Sequence, residues 1–466
     1  MTRLQKDIIQ YITSEFLYAE DLPNLFISNK HFNIKPYKYN FEYDEDIDIR
    51  LIEKIDDTNV ETYHFDYFCL IEKHQTLSMI HKFEIDHLTT KDYFYEKLQY
   101  FFKDFSKTKV KTIVFGNHFN HYLPHKLPDT LEKIKFGNEY NKPLPENLPD
   151  SITKINFSTH CQFIHPLPHK LPKNLKSIRF GSSFNESFFE KLPQSIEKIR
   201  FGSNFNLKIP DQLPLKLKKL VFNDHSLFNL CLPECLPETL EKLSFGHTFN
   251  QPLPKNLPKS LKYLQLGSKY NHPLSNNLPD SLEILRIGES FNYQLPKKFP
   301  KNLRELQFAK FSNFNFPLPQ DLPEHLEEIF FGQSYNQPLP IKLPSKLREL
   351  WFGAFFNKPL LENLPESLEI ISFGNSYSHE LSFKCLKNLK RIDFGHDYAH
   401  PLPEDLPDSL QYIKFGKNYD HVLPFNLPKS LVSIELPSHN VENIIKKQFT
   451  DFKGKNFKSF TSDDFE

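Results

Sequence analysis

The chain has 466 residues, enough for two to four ordinary domains or for one long repeat array. Its 58 Lys and Arg balance 58 Asp and Glu, so no global field points to nucleic acid or to an anionic membrane, and a charged partner must be met by a local patch. Five scattered cysteines (Cys69, Cys161, Cys231, Cys235, Cys385) read as free thiols of a reducing compartment, not as a disulfide framework.

The opening residues MTRLQKDIIQYITSEF carry charges throughout and no apolar core of a signal peptide, and no apolar run is long enough to span a bilayer. An intracellular, cytoplasmic setting is expected. Leu4, Ile8, Ile9, Ile12, Phe16 and Leu17 fit one helical face. After Asp21 a second run passes through Leu22, Leu25 and Phe26 to Asn29, Lys30 and Phe32. Helix, turn, short helix and Ser-Asn-Lys-x-Phe together resemble the F-box motif, although that family favours Leu-Pro where this chain has Leu4-Gln5. The resemblance implies that residues 1–40 dock a Skp-family adaptor of a cullin ubiquitin ligase through Ile8, Ile12, Leu22 and Leu25. A plain helical cap is the other reading. Residues 41–108 are charged and aromatic, with an acidic run at Asp44–Asp48 and a helical pattern at Lys91–Phe105. They read as an irregular linker with early coils and an N-terminal cap, and Lys111–Phe115 is already strand-like.

From residue 109 to 440 one pattern recurs about fifteen times. An aromatic anchor stands at Phe119, Tyr140, Phe163, Phe184, Phe205, Phe228, Phe249, Tyr270, Phe291, Phe314, Tyr335, Phe356, Tyr377, Tyr398 and Tyr419; eleven of the fourteen steps are 21 residues and three are 23. The unit reads Phe-Asn-x-Pro-Leu-Pro-x-x-Leu-Pro-x-Ser-Leu-x-x-Leu-x-Phe-Gly-x-x. Its Leu-x-x-Leu-x-Phe part ends in a period-2 alternation, which predicts a short strand with two inward apolar residues. The Pro-rich part predicts an extended or turn-like return path. One unit buries little by itself, so stacked units must stabilise one another. Twelve of thirteen glycines follow the strand directly, where a positive φ or a close backbone approach is expected. The three 23-residue units carry Ser158, Asn223 and Ala309 there, which implies a differently turned corner. The Asn after the anchor, as at Asn250 and Asn271, should satisfy backbone groups of adjacent coils.

This Phe-Asn-x-Pro-Leu-Pro signature, over residues 119 to 439, resembles the FNIP repeat, a variant of the leucine-rich repeat class known from social amoebae and giant amoebal viruses. The resemblance implies a leucine-rich-repeat-like solenoid of short parallel β-strands, preceded here by a small α-helical domain. FNIP arrays are often preceded by an F-box motif. Residues 441–466 read as a cap, with a helix at Asn443–Phe452, and a frayed tail.

No phosphate-binding glycine loop, nucleophile elbow or His-Glu-x-x-His occurs. Cys231 and Cys235 fall on variable positions of a return segment and read as solvent-facing thiols, and His121, His272 and His400 read as solvated loop residues. No catalytic residue, metal or cofactor is expected, and the chain reads as a binding platform, not an enzyme. Its candidate surface is the outward side of the strands, where solenoids often bind on a concave face. In the first half this column is basic, with Lys135, Arg179 and Arg200; later it carries Ile284, Phe330, Trp351 and Ile370 beside Glu305, Glu328 and Glu349. The basic half reads equally as a solvated face. Three functions remain open: an F-box substrate receptor holding an unknown target protein, a repeat scaffold with no ubiquitin link, and a nucleic-acid or lipid binder. The last is disfavoured by charge balance and the lack of aromatics in the basic patch.

Overall fold

The computed structural model describes residues 111–117 and 119–437 and, by their backbone, the strands His87–Thr90 and Asn456–Phe460. The F-box-like segment 1–40 and the helices expected at Lys91–Phe105 and Asn443–Phe452 lie outside the described residues. Each repeat makes one turn of a parallel β-solenoid, and the turns belong to two compact units, the first ending at Gly202 and the second beginning at Ser203. Unit 1 holds β1 (His87–Thr90), β2 (Thr112–Phe115), β3 (Lys133–Phe136), β4 (Lys154–Phe157), β5 (Ser177–Arg179) and β6 (Lys198–Phe201). Unit 2 holds β7 (Lys219–Phe222), β8 (Lys242–Ser244), β9 (Tyr263–Gln265), β10 (Ile284–Ile287), β11 (Glu305–Phe308) and β12 (Glu328–Phe330). It continues with β13 (Glu349–Trp351), β14 (Ile370–Ser372), β15 (Arg391–Asp393), β16 (Tyr412–Lys414), β17 (Ser433–Pro437) and β18 (Asn456–Phe460). Within each unit consecutive strands pair in parallel and repeat positions face each other, as Leu285 faces Leu264 and Leu306. Among the described residues helix is limited to one 3-10 turn, Phe189–Lys191.

The local chemistry follows the motif. In Leu-Pro-x-Ser-Leu the proline carbonyl accepts the N–H of the leucine three residues on, as Leu261 N–H donates to Pro258 O at 3.0 Å. Proline suits this bend because it has no N–H of its own to satisfy. The serine hydroxyl donates to the preceding coil: Ser281 to Leu261 O at 2.8 Å, Ser367 to Leu347 O at 2.6 Å, Ser430 to Leu410 O at 2.7 Å. The strand then begins, its alternate residues buried, such as Leu264 and Ile287.

Two columns of rings form the core beside the leucines. Within a coil the strand Phe lies on the anchor, as Phe331 on Tyr335 at 3.8 Å and Phe136 on Tyr140 at 4.1 Å. Between coils like rings stack nearly parallel, as Phe352 on Phe373 at 5.6 Å and Phe163 on Phe184 at 6.0 Å. Such pairs add about 0.5–1.5 kcal/mol to the burial of each ring. The hydroxyls of Tyr270, Tyr335 and Tyr377 are buried without a well-aligned partner, and burial pushes these phenols far above their usual pKa.

The corner glycines answer to close approach. A Cβ placed on Gly267 or Gly353 would overlap the carbonyl oxygen of Gly246 or Gly332 in the preceding coil, while neither residue has the left-handed φ that also favours glycine. In the long coils the extra pair of residues changes this corner. Ser158 N–H and Ala309 N–H still bond the preceding strand (to Phe136 O and Ile287 O), so the ladder runs one residue further and a side chain is tolerated. The turn is then closed by Cys161, Ser226 and Ser312, all buried, at the place the anchor takes elsewhere. Ser226 and Ser312 use their hydroxyls to accept the N–H of Phe228 and Phe314.

The asparagines form a ladder. Each Oδ1 accepts the N–H of the same position one coil later: Asn141 on Asn120, Asn250 on Asn229, Asn271 on Asn250, Asn336 on Asn315, Asn357 on Asn336, all between 2.8 and 3.0 Å. The histidines two places after the anchor are not merely solvated. His272 and His400 sit edge-on to Tyr270 and Tyr398, and their Nε2 meets a carbonyl oxygen of the preceding coil at 3.1 and 2.8 Å. Where the sequence reads as a frayed tail, β18 pairs with β17, Phe457 taking the register position opposite Ile434. A parallel strand edge offers N–H and C=O groups that a following segment can satisfy.

Candidate protein-interaction surface

Outward strand residues alternate with the buried ones, so register alone decides which of them meet. In unit 2 one outward row runs Ile284, Glu305, Glu328, Glu349, Ile370, Arg391, and the neighbouring row Arg286, Gln307, Phe330, Trp351, Ser372, Asp393. Phe330 and Trp351 are direct neighbours, half-buried, stacked at 5.8 Å and 19°. Trp351 Nε1 donates to Glu349 Oε2 at 3.0 Å, which fixes the indole over its own strand. The three glutamates are brought side by side. Glu305 is held by Arg286 at 2.9 Å. Burial, and then Glu349 and Glu305, raise the Glu328 carboxyl above its usual value. Ile370 flanks Glu349, whereas Ile284 lies on the far side of Glu305, away from the aromatic pair.

Four contributors, Arg391, Asp393, Ser372 and Tyr412, were missed by reasoning from residue type alone. Arg391 lies 6.0 Å from the Trp351 ring and 4.4 Å from that of Tyr412, and forks onto Asp393 at 2.8–3.1 Å. The small Ser372 on the intervening strand stands between Trp351 and Asp393 in register. Burial, followed by the hydrogen bond and charge of Glu435, raises the Tyr412 phenol. The signal was present, since Arg391 and Asp393 share the outward period-2 positions of β15. At the other end of unit 2's face, Lys242 sits 3.6 Å above the Tyr263 ring and Tyr263 donates to Gln265 Oε1 at 2.7 Å.

A further row, one residue before each strand, alternates in sign: Lys262, Glu283, Arg304, Glu327, Arg348, Glu369, Lys390. Neighbours pair at 3.6 Å (Lys262–Glu283), 2.7 Å (Arg304–Glu327), 2.9 Å (Arg348–Glu369) and 2.7 Å (Lys390–Glu369). In unit 1 the corresponding face carries Lys135, exposed, with Arg179 and Arg200, half-buried and opposite each other on β5 and β6. Ile8, Ile12, Leu22 and Leu25 lie outside the described residues. Cys231 and Cys235 are exposed free thiols, and among the described residues no three His, Cys, Asp or Glu side chains gather as a metal site.

Fold and surface together define a leucine-rich-repeat-like solenoid scaffold, a class suited to holding other proteins. The chain belongs to the FNIP Repeat family, whose model matches residues 140–183, 189–225, 228–269, 249–290, 314–355, 356–397 and 398–439, more than half of its length. Among solved structures it is similar to CroV588, described as a novel circular LRR protein, at 27% identity and a TM-score of 0.50, over 76% of this chain and 63% of that one. The chain thus spans less than two thirds of CroV588. YopM from Yersinia enterocolitica WA-314 matches at 22% identity and a TM-score of 0.45, over 70% of this chain and 76% of YopM. No curated protein sequence matches.

Proposed function

We propose that this chain is a protein-binding platform whose partner site in unit 2 centres on Phe330 and Trp351. The stacked, half-buried ring pair carries this reading. Aromatic residues ringed by charged groups are the usual anchors of protein interfaces, and here Glu349, Glu328 and Arg391 form the rim. In its finer form the platform is the substrate-recognition subunit of an F-box-type ubiquitin ligase. The helix-turn-helix pattern from Leu4 to Phe32 supports that form, with Ile8, Ile12, Leu22 and Leu25 meeting a Skp-family adaptor. Such a receptor performs no chemistry and works by bringing its target near the ligase.

Affinity capture from cells tests both levels. Replacing Phe330→Ser and Trp351→Ser together should weaken target capture at least about tenfold, as loss of an interface anchor does; undiminished capture by a folded variant ends the reading. Recovery of a Skp-family adaptor, lost in an Ile12→Asp and Leu25→Asp double variant, supports the ligase form. A target retained with no adaptor leaves a scaffold without a ubiquitin link.

A further inference from the structure

The outward face of unit 1 differs from that of unit 2 in a way the fold does not require. From β3 to β6 its outward residues are Lys133 and Lys135, Lys154 and Asn156, Ser177 and Arg179, Lys198 and Arg200, which is six cations and no acid. Parallel register sets Lys133 opposite Lys154 and Arg179 opposite Arg200, with about 4.8 Å from strand to strand. Like charges placed directly opposite weaken a sheet. Burial, and then Arg200, lower the pKa of the Arg179 guanidinium. The hydrogen bond from Arg179 Nη2 to Thr159 Oγ1 satisfies a donor without supplying negative charge. In unit 2 the outward cations Arg286, Arg391 and Lys414 each meet a carboxylate, that of Glu305, Asp393 or Glu435, while Lys219 still faces Lys242 on its first two strands.

We propose that the outward face of β3–β6 binds an extended acidic polypeptide segment, its carboxylates met by Lys133, Lys135, Lys154, Arg179 and Arg200. The proposal rests on the reading of this chain as a protein-binding platform and adds a second site with a stated partner chemistry. Charge complementarity selects an anion. The arginine forks favour carboxylates, which accept two parallel N–H bonds. Outward residues two apart on a strand are about 6.6 Å apart, the spacing at which an extended peptide presents alternate side chains. Nucleic acid is the poorer fit, because Asn156 and Ser177 complete the outward positions and offer no ring for a base to stack on.

The test uses the full-length chain and a fluorescent ten-residue peptide of alternating Glu and Gly, followed by anisotropy. Binding is expected, weaker at higher salt. Arg179→Gln with Arg200→Gln, and Lys133→Gln with Lys154→Gln, should each weaken it by about tenfold or more. Phe330→Ser with Trp351→Ser should leave it unchanged. Both Gln pairs should melt at or above the temperature of the unaltered chain, since repulsion is removed, so lost binding is not lost fold. Absent binding, or binding indifferent to the Gln pairs, overturns the proposal while target capture through Trp351 still stands. Tighter binding of a (dT)10 strand by the same cations also overturns it, in favour of a nucleic-acid site.

Discussion

In unit 1 Arg179 faces Arg200 and Lys133 faces Lys154, whereas in unit 2 the row from Lys262 to Lys390 alternates in sign and pairs coil to coil. Both arrangements lie on the same backbone, with the same ring columns, asparagine ladder and corner glycines. The inward positions therefore set the fold, and the outward ones are left to vary. From Lys262 to Lys390 unit 2 uses that freedom to pair opposite charges, although Glu328 still faces Glu349 and Lys219 faces Lys242; the outward positions of β3–β6 in unit 1 carry charge of one sign alone.

The sharpest way to break this comparison is to attack the part said to be shared. Phe184→Ala in unit 1 removes a fully buried anchor stacked on Phe163 and Phe180, and Phe356→Ala in unit 2 one stacked on Tyr335 and Tyr377. Each should cost about 3–5 kcal/mol, read by hydrogen exchange of the strand amides of its own unit. A cost confined to one unit would show that the two cores are not equivalent. A smaller loss is expected from the ladder. Asn336→Ala deprives the part-buried N–H of Asn357 of its acceptor, and Asn141→Ala does the same for the exposed Ile164. The first should cost about 1 kcal/mol and the second less, because water can replace the lost acceptor at an exposed site.

Much of this was legible in the sequence because the repeat states each requirement fifteen times. The period fixed the coil, the Leu and Phe positions the core, and the joint loss of glycine and gain of two residues marked the three altered corners. What was not legible depends on which side chains meet across coils. The roles of Cys161, Ser226 and Ser312 were hidden because small residues in a corner carry no apolar signal. The cross-coil contacts of the histidines were not visible because their partner is a backbone carbonyl of another coil. The Trp351–Arg391–Tyr412 cluster spans four strands, and its members were visible as columns but not as neighbours.

The outward faces predict effects of opposite sign. Arg200→Gln relieves repulsion and should stabilise unit 1 by a few tenths of a kcal/mol, roughly the size of a like-charge cross-strand pair. Arg348→Gln removes an ion pair to Glu369 and should destabilise unit 2 by a similar amount. Equal signs would dissolve the contrast.

The finest test is a pH profile of unit 2. Arg348 and Lys390 hold the Glu369 carboxyl down at about 2, against a usual 4.5. A depressed carboxylate contributes stability above its unfolded pKa and loses it as pH falls through the folded one. The contribution is therefore whole above pH 4.5 and gone by about pH 2. Both cations are about half exposed, so solvent screens the pair and it is worth no more than about 1 kcal/mol. Glu369→Gln should lower stability at neutral pH by that amount, and the difference from the unaltered chain should close as pH falls toward 2. The single tryptophan, Trp351, lies in unit 2, so its emission during urea unfolding reports this unit. A difference that persists unchanged at pH 2 would assign the loss to packing, and the charge row would then be incidental to the stability of the face that carries Trp351.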